Sequence, residues 1–104
     1  MLNQTIVVGR INNYDEIGRV VTIAVSRTYK NMDGEYETDY IPIKLWGTMA
    51  SQMELVKIGD IIGIKGRIER TGVELRIVAE KVTFLAQGNK EEVTNENKPT
   101  TNDN

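Results

Sequence analysis

Apolar and polar positions alternate along five stretches of the chain, as they do in strands that turn one face toward a core. Glycine and other turn-forming residues separate the stretches. The alternation predicts five β-strands, over residues 4–12, 19–28, 38–46, 60–69 and 73–85. The predicted core positions are Val21, Ile23, Val25, Ile41, Ile43, Leu45, Ile62, Ile64, Ile68, Val73, Leu75 and Ile77.

The last stretch changes phase part-way along its length. Its apolar pattern continues on the opposite parity at Val78, Val82 and Phe84. One extra residue in a strand moves the following side chains to the other face and bends the strand. We therefore expect a β-bulge or bend near Ala79 and Glu80, which would help to close a barrel.

The segment GTMASQMELVKIGD has the spacing of a helix rather than of a strand. Met49, Met53 and Val56 recur at i, i+4 and i+7, while Thr48 can cap the start and Gly59 can end the helix. We expect two to three helical turns. Five strands with one short helix between the third and fourth predict an all-β fold, a five-stranded barrel of the OB type. A five-stranded sandwich fragment is the alternative.

The end of the chain differs in composition from the rest. Residues 87–104, QGNKEEVTNENKPTTNDN, contain Val93 as their only aliphatic residue. Ordering each residue would cost about 1 to 2 kcal/mol with almost no apolar surface to bury. We therefore predict one domain at residues 1–86 and a disordered acidic tail at 87–104. Of the net charge of −2, residues 1–90 contribute +1 and residues 91–104 contribute −3.

Composition excludes several classes of site. All 104 residues lack cysteine and histidine, which excludes disulfides, Cys/His zinc sites and Ser-His or Cys-His catalysis. The sequence spacing of Asp60, Glu69 and Glu80 does not pair any of these carboxylates with a second acid or a base in the way that a catalytic mechanism would need. The start of the chain does not resemble a signal peptide, and no apolar stretch is long enough to span a membrane. We expect a cytoplasmic protein without catalytic activity, cofactor or membrane contact.

The stretch YIPIKLWG, residues 40–47, contains the candidate site. Its aliphatic residues occupy the core face, so strand alternation leaves Tyr40, Lys44 and Trp46 on the water side. Two aromatic rings and a lysine on one exposed face favour a platform on which unpaired nucleobases stack, each worth about 1 to 3 kcal/mol. Lys65, Arg67 and Arg76, on outward positions of the fourth and fifth strands, would supply cations for phosphates.

A structural interpretation of the same residues remains open. Aromatic side chains dominate protein interfaces, so Trp46 could cover the end of the barrel or a subunit contact. The three cations could form a solvated face paired with Glu69 and Glu74. A protein-interaction OB module that uses the aromatic face for a peptide or a subunit is therefore the alternative function. RNA is a further candidate ligand, because stacking does not sense the 2′-hydroxyl.

The stretches LNQTIVVGRI, VTIAVSRTY, TDYIPIKLWGTMASQ and KIGDIIGIKGRIE resemble the bacterial and phage single-stranded DNA-binding proteins over about residues 1–85. The resemblance implies an OB-fold and a homo-oligomer, usually a homotetramer. It also implies sequence-independent binding and protection of single-stranded DNA in replication, recombination or repair. Carried over by position, it assigns stacking roles to Tyr29, Tyr40 and Trp46.

Two features depart from that family. The short link ERTGVE between the fourth and fifth strands lacks the further aromatic of a longer family hairpin. The chain ends in TTNDN instead of an acidic tip with a Pro-Phe pair. We therefore do not expect recruitment of replication and repair partners through the tail.

Overall fold

A computed structural model describes residues 1–88 of the chain. Five strands form a closed barrel in the order β1-β2-β3-β5-β4. The elements are β1 (Thr5–Asp15), β2 (Val20–Lys30), β3 (Tyr36–Lys44), α1 (Thr48–Gln52), a 3-10 turn (Met53–Leu55), β4 (Ile61–Thr71) and β5 (Glu74–Ala86). The predicted barrel is confirmed, with strand ends displaced by one to three residues. Closure of the sheet rules out the sandwich alternative.

Closure depends on a short parallel contact. β3 pairs with β5 only at Ile43 with Ile77 and at Lys44 with Val78. The other neighbouring strands pair in the antiparallel sense. The first residues of β3 therefore have β2 as their only strand neighbour, and Pro42, which cannot donate a backbone hydrogen bond, lies in this open-edged part of the strand.

Aliphatic side chains from all five strands fill the barrel. The buried cluster consists of Val7, Ile11, Val21, Ile23, Ile43, Leu45, Met53, Ile62, Ile64 and Ala79. Six of the predicted core residues are in this cluster. Val25, Ile41 and Ile77 are partly buried against it.

Three predicted core residues are exposed instead. Ile68, Val73 and Leu75 expose 46%, 91% and 72% of their surface. They lie toward the tip of the β4–β5 hairpin, which continues beyond the last residue paired with β3. Ile68 and Leu75 have the parity of the core face, but no strand of residues 1–88 packs on that face there. Val73 belongs to the turn.

The predicted bulge in the last strand is confirmed. Lys65 pairs with Lys81 and Gly66 pairs with Ala79, so Glu80 is the extra residue of β5. β5 crosses very close to β4 here, because a Cβ at Gly66 would lie only 2.4 Å from the carbonyl oxygen of Val78. Glycine is therefore required at this position for the strand to bend.

The helix is shorter than predicted and is capped differently. Thr48 is its first residue, and its N-cap is Gly47, with φ 57° and no side-chain hydrogen bond. The α-helix ends at Gln52, and Gly59, with φ 98°, lies later in the turn before β4. Met53 packs in the core as the spacing predicts.

The predicted disordered tail lies almost entirely outside the described residues, which end at Gly88. The amide of Gly88 donates a 2.6 Å hydrogen bond to the carboxylate of Asp60. The same buried carboxylate accepts a 2.8 Å bond from the amide of Lys57. Asp60 therefore fixes both the turn before β4 and the exit of the chain from the barrel. Within residues 1–88, no helix is long and apolar enough to cross a membrane.

Candidate nucleic-acid interface

The outer surface of β3 presents a row of aromatic and basic side chains. Tyr36, Tyr40 and Lys44 occupy alternate outward positions, and the two tyrosines are 59% and 60% exposed. Tyr40 pairs with Ala24 on β2, and Thr38 pairs with Ser26. The side chains between the two rings are therefore small. Both rings project beyond these neighbours, which leaves room for flat ligands to stack on them.

Trp46 lies just beyond the end of β3 and lies close to two cations. Its ring is 5.3 Å from Lys44 Nζ and 5.9 Å from Arg76 Cζ, measured to the ring centroid. The residue remains 47% exposed. Cation–π attraction of roughly 0.5 to 1 kcal/mol at an exposed site helps to hold the three side chains together. The structure thus unites three of the predicted site residues, and it does not bury the indole.

Lys44 is less free than the strand alternation predicts. Its side chain is half-buried, and its ammonium group donates a 2.6 Å hydrogen bond to the carbonyl oxygen of Gly18. Gly18 belongs to the turn between β1 and β2. Lys44 therefore links the end of β3 to that turn and still places a positive charge beside Trp46.

Arg76 is the second cation beside Trp46. Its Nε atom is buried, and no hydrogen-bond partner for that atom exists among residues 1–88. Buried donors are nearly always paired in folded proteins. The guanidinium group lies beside the exposed indole, and guanidinium groups bind phosphate oxygens strongly.

Arg67 and Lys65 lie farther along the outer surface, on β4. Arg67 forms ion pairs with Glu69 and, at 3.6 Å, with Glu80, so its charge is largely compensated. Lys65 is exposed opposite Lys81 and Ile6. The structure therefore does not place either cation in contact with Trp46. Their roles in DNA binding remain predictions.

Arg10 is a candidate that the sequence analysis misses. It pairs with Ala24, which in turn pairs with Tyr40. Arg10 and Tyr40 line one surface groove of about 460 Å³, with Ala24 between them. Arg10 also donates a 3.0 Å hydrogen bond to the carbonyl oxygen of Gly59. Its outward parity on the first strand is visible in the sequence, but its proximity to Tyr40 depends on the strand pairing.

An ion-pair network stiffens the β2–β3 hairpin. Arg27 donates to both carboxylate oxygens of Asp39, at 2.9 and 3.1 Å, and to Glu37 at 2.8 Å. The hydrogen bond and the charge of Asp39 raise the pKa of Arg27, with smaller contributions from Tyr29 and Glu37. The hydrogen bond from Arg27 in turn lowers the pKa of Asp39, against a desolvation effect that raises it. The network fixes the arm that carries Tyr29 and Tyr36.

Tyr29 is exposed, but it lies on a different side of the arm from Tyr40. The register of β2 shifts between Ser26 and Lys30, and Tyr29 lies close enough to Arg27 to affect the pKa of that residue, whereas Lys30 pairs with Tyr36 on the face of Tyr40. The exposed fraction of Tyr29 is 64%. Its predicted stacking role therefore requires a ligand that passes over the edge or the far face of the arm.

Comparisons with known proteins give the family. The model of the single-strand binding protein family matches residues 2–85. The chain belongs to this family. The single-stranded DNA-binding protein of Clostridium tetani is 33% identical over 109 residues, covering 86% of this chain and 74% of that protein. Single-stranded DNA-binding protein B of Bacillus subtilis is 32% identical over 103 residues, covering 82% of this chain and 91% of that protein.

Solved structures of single-strand binding proteins share the fold. The mitochondrial single-stranded DNA binding protein of S. cerevisiae matches with a TM-score of 0.64 at 20% identity, covering 83% of this chain and 97% of that chain. A Plasmodium falciparum family member in complex with single-stranded DNA matches with a TM-score of 0.59 at 14% identity, covering 82% and 96%. The barrel is therefore the OB-fold of the family.

Proposed function

We propose that this protein binds single-stranded DNA independently of sequence and protects it during replication, recombination or repair, without catalysis. The observation that carries the proposal is the cluster of Trp46, Lys44 and Arg76, with Tyr40 on the same face of β3. Membership of the single-strand binding protein family supports the same ligand.

Each side chain has a defined role in the proposed complex. Trp46 and Tyr40 stack on bases, which requires only a flat ring and therefore tolerates any sequence. Arg76 and Lys44 bind phosphates beside the indole, and Arg10 does so beside Tyr40. Lys65 and Arg67 add positive charge on β4, while Tyr29 contributes a ring on the hairpin arm. The protein-interaction module is the less favoured alternative, because the family relatives are named for binding DNA.

A fluorescence titration with oligo-dT tests this function. Trp46 is the only tryptophan of the chain, so emission changes report directly on the proposed site. We expect strong quenching at low salt, with log K falling by about 0.7 per contacted phosphate for each unit of log salt concentration. Unchanged emission together with no gel shift at low salt would overturn the proposal. A matched RNA oligomer in the same titration measures the preference between the two nucleic acids.

We also propose that the protein is a homo-oligomer, with the homotetramer as the expected form. The support is an apolar patch on the outer surface of the barrel, formed by Ile6, Val8 and Leu85, which are 68%, 49% and 51% exposed. Val8 and Leu85 approach each other over Gly63, where a Cβ would lie 3.6 and 3.4 Å from them. Contiguous exposed apolar surface of this kind marks contact sites for other proteins.

A further inference from the structure

The β2–β3 hairpin has two chemically different faces. One face holds the network of Arg27 with Glu37 and Asp39, to which Asn31 adds a 3.2 Å hydrogen bond to Glu37. The carboxylates of Glu37 and Asp39 are therefore bound by Arg27 or Asn31 on that face of the arm. The opposite face carries Tyr36 and Lys30 and no carboxylate from β3, because Glu37 and Asp39 alternate away from it.

Tyr36 continues the outward row of β3 beyond Tyr40. The two rings are four residues apart on one strand face, a distance of about 13 Å at roughly 3.3 Å per residue. Only small side chains, among them Thr38 and Ser26, lie between them on this face. The ring of Tyr36 is 59% exposed, which leaves it accessible for stacking.

Lys30 supplies a cation beside that ring. Its Nζ lies 5.8 Å from the centroid of the Tyr36 ring, and the two residues are paired across the hairpin. In the described part of the chain, Lys30 forms no salt bridge, in contrast to Arg27. The pair therefore repeats on the arm the combination of ring and cation found at Trp46 and Lys44.

Hydrogen bonds and ion pairs within the arm stabilise its turn and its strands. The side-chain oxygen of Asn31 accepts hydrogen bonds from the amides of Asp33 and Glu35, at 2.9 and 3.0 Å, and so fixes the turn. The ion pairs of Arg27 fix the strands behind Tyr36. A preformed arm avoids much of the ordering cost that a flexible loop would incur on binding.

We infer that Tyr36 and Lys30 form a second stacking subsite for single-stranded nucleic acid, reached by a strand that runs from Trp46 over Tyr40 and out along the hairpin arm. This inference rests on the proposed function. From Lys44 to Tyr36 the path along β3 spans about 26 Å, eight residues at roughly 3.3 Å each. A short oligomer therefore occupies the Trp46 end without reaching the arm, whereas a longer one occupies both.

The test compares Tyr36→Ala with wild type on two oligo-dT lengths. Lengths of about 4 and about 16 nucleotides are the two ends of the range of site sizes known for one OB fold, and the shorter one cannot span the distance from Lys44 to Tyr36. Quenching of Trp46 confirms that each oligomer occupies the Trp46 end. We expect Tyr36→Ala to weaken binding of the long oligomer by roughly 5- to 150-fold, the value of one lost stack, and to leave the short one unchanged.

Two matched variants sharpen the test. Tyr36→Phe keeps the flat ring and should bind both lengths as wild type does. Lys30→Gln should reduce the salt slope for the long oligomer by about 0.7, the contribution of one phosphate contact. Wild-type affinity of Tyr36→Ala for the long oligomer, or equal losses at both lengths, would overturn the subsite and leave the proposed function intact. If wild type binds neither length, the proposed function itself is wrong.

Discussion

The ammonium group of Lys44 lies 5.3 Å from the centre of the Trp46 ring, so the cation and the indole act as one unit. The same ammonium group is bonded to Gly18 at 2.6 Å, which ties this unit to the turn between β1 and β2. Lys44 therefore has a structural role besides its proposed contact with DNA.

We expect Lys44→Ala to weaken DNA binding and also to lower the free energy of unfolding by about 1 kcal/mol, the net value of a hydrogen bond of this kind. Alternation alone predicts little effect on folding, because it places Lys44 in water. Urea unfolding with an oligo-dT titration measures both effects. Lys57→Ala, an exposed lysine before β4, is the control and should change neither. Full wild-type stability of Lys44→Ala would mean that the bond to Gly18 contributes nothing in solution.

Replacement of Ile43 by alanine tests the register of β3. Ile43 is fully buried, and such a truncation costs about 2 to 5 kcal/mol. Ile17→Ala is the matched control, because Ile17 is 97% exposed in the turn before β2 and should change stability by less than about 0.5 kcal/mol. Chemical denaturation measures both variants. Equal losses at the two positions would contradict the register.

Alternation predicts the five strands because each strand of a closed barrel buries one face along most of its length. It fails at Ile68 and Leu75, which have the correct parity. Leu75 lies beyond Ile77, the last residue of β5 paired with β3, and Ile68 lies opposite Ile77 at the edge of that pairing. Parity specifies a face, whereas burial also requires another element to pack on that face. The same pattern cannot locate the helix cap, since Thr48 and Gly47 are both acceptable N-cap residues.

The sequence also predicts only part of the candidate site, because a local pattern does not show which strands lie side by side. Tyr40, Lys44 and Trp46 are found because they lie in one strand run, while Arg76 is predicted only as an outward charge. Tyr36 is not predicted as part of the row, because the third strand is predicted to begin at residue 38 and Tyr36 is therefore placed in the preceding connection. The bond from Lys44 to Gly18 joins residues 26 positions apart, so no local pattern reveals it.

The pairing of Arg27 with Asp39 predicts a pH-dependent contribution to stability. The pKa of Asp39 is lowered in the folded protein from its ordinary value of 3.8. A carboxylate with a lowered folded pKa stabilises the fold above its unfolded pKa, and this stabilisation is lost as the pH falls through the folded pKa. The stability difference between wild type and Asp39→Asn should therefore be constant above about pH 5 and shrink below about pH 4.

Urea unfolding of both proteins between acidic and neutral pH measures that difference. Arg27→Gln should show the same pattern, because removal of either partner removes the hydrogen bond that lowers the pKa of Asp39. A difference that stays constant down to the lowest pH would show that the pair does not persist in solution.

Gly66 should tolerate no side chain. A Cβ at this position would lie 2.4 Å from the backbone oxygen of Val78, so Gly66→Ala would force the two strands apart at the bulge. We expect a loss near the upper end of the usual range, about 3 kcal/mol. Gly63→Ala is the control on the same strand, since its Cβ would be 3.4 Å from the flexible side chain of Leu85. Thermal unfolding that ranks the two variants in the reverse order would contradict the strand crossing.

The apolar patch on β1 predicts which substitution separates subunits. Ile6 is 68% exposed and lies opposite Lys65 on β4, so Ile6→Glu places a carboxylate in the patch without loss of core packing. Burial of the new carboxylate and the neighbouring Lys65 ammonium group in an interface costs desolvation energy that their mutual attraction does not fully recover. Sedimentation at several concentrations should show smaller particles for Ile6→Glu and unchanged ones for Ile17→Glu, which adds the same charge at a remote turn. If Ile6→Glu keeps the wild-type mass, the subunits meet through another surface.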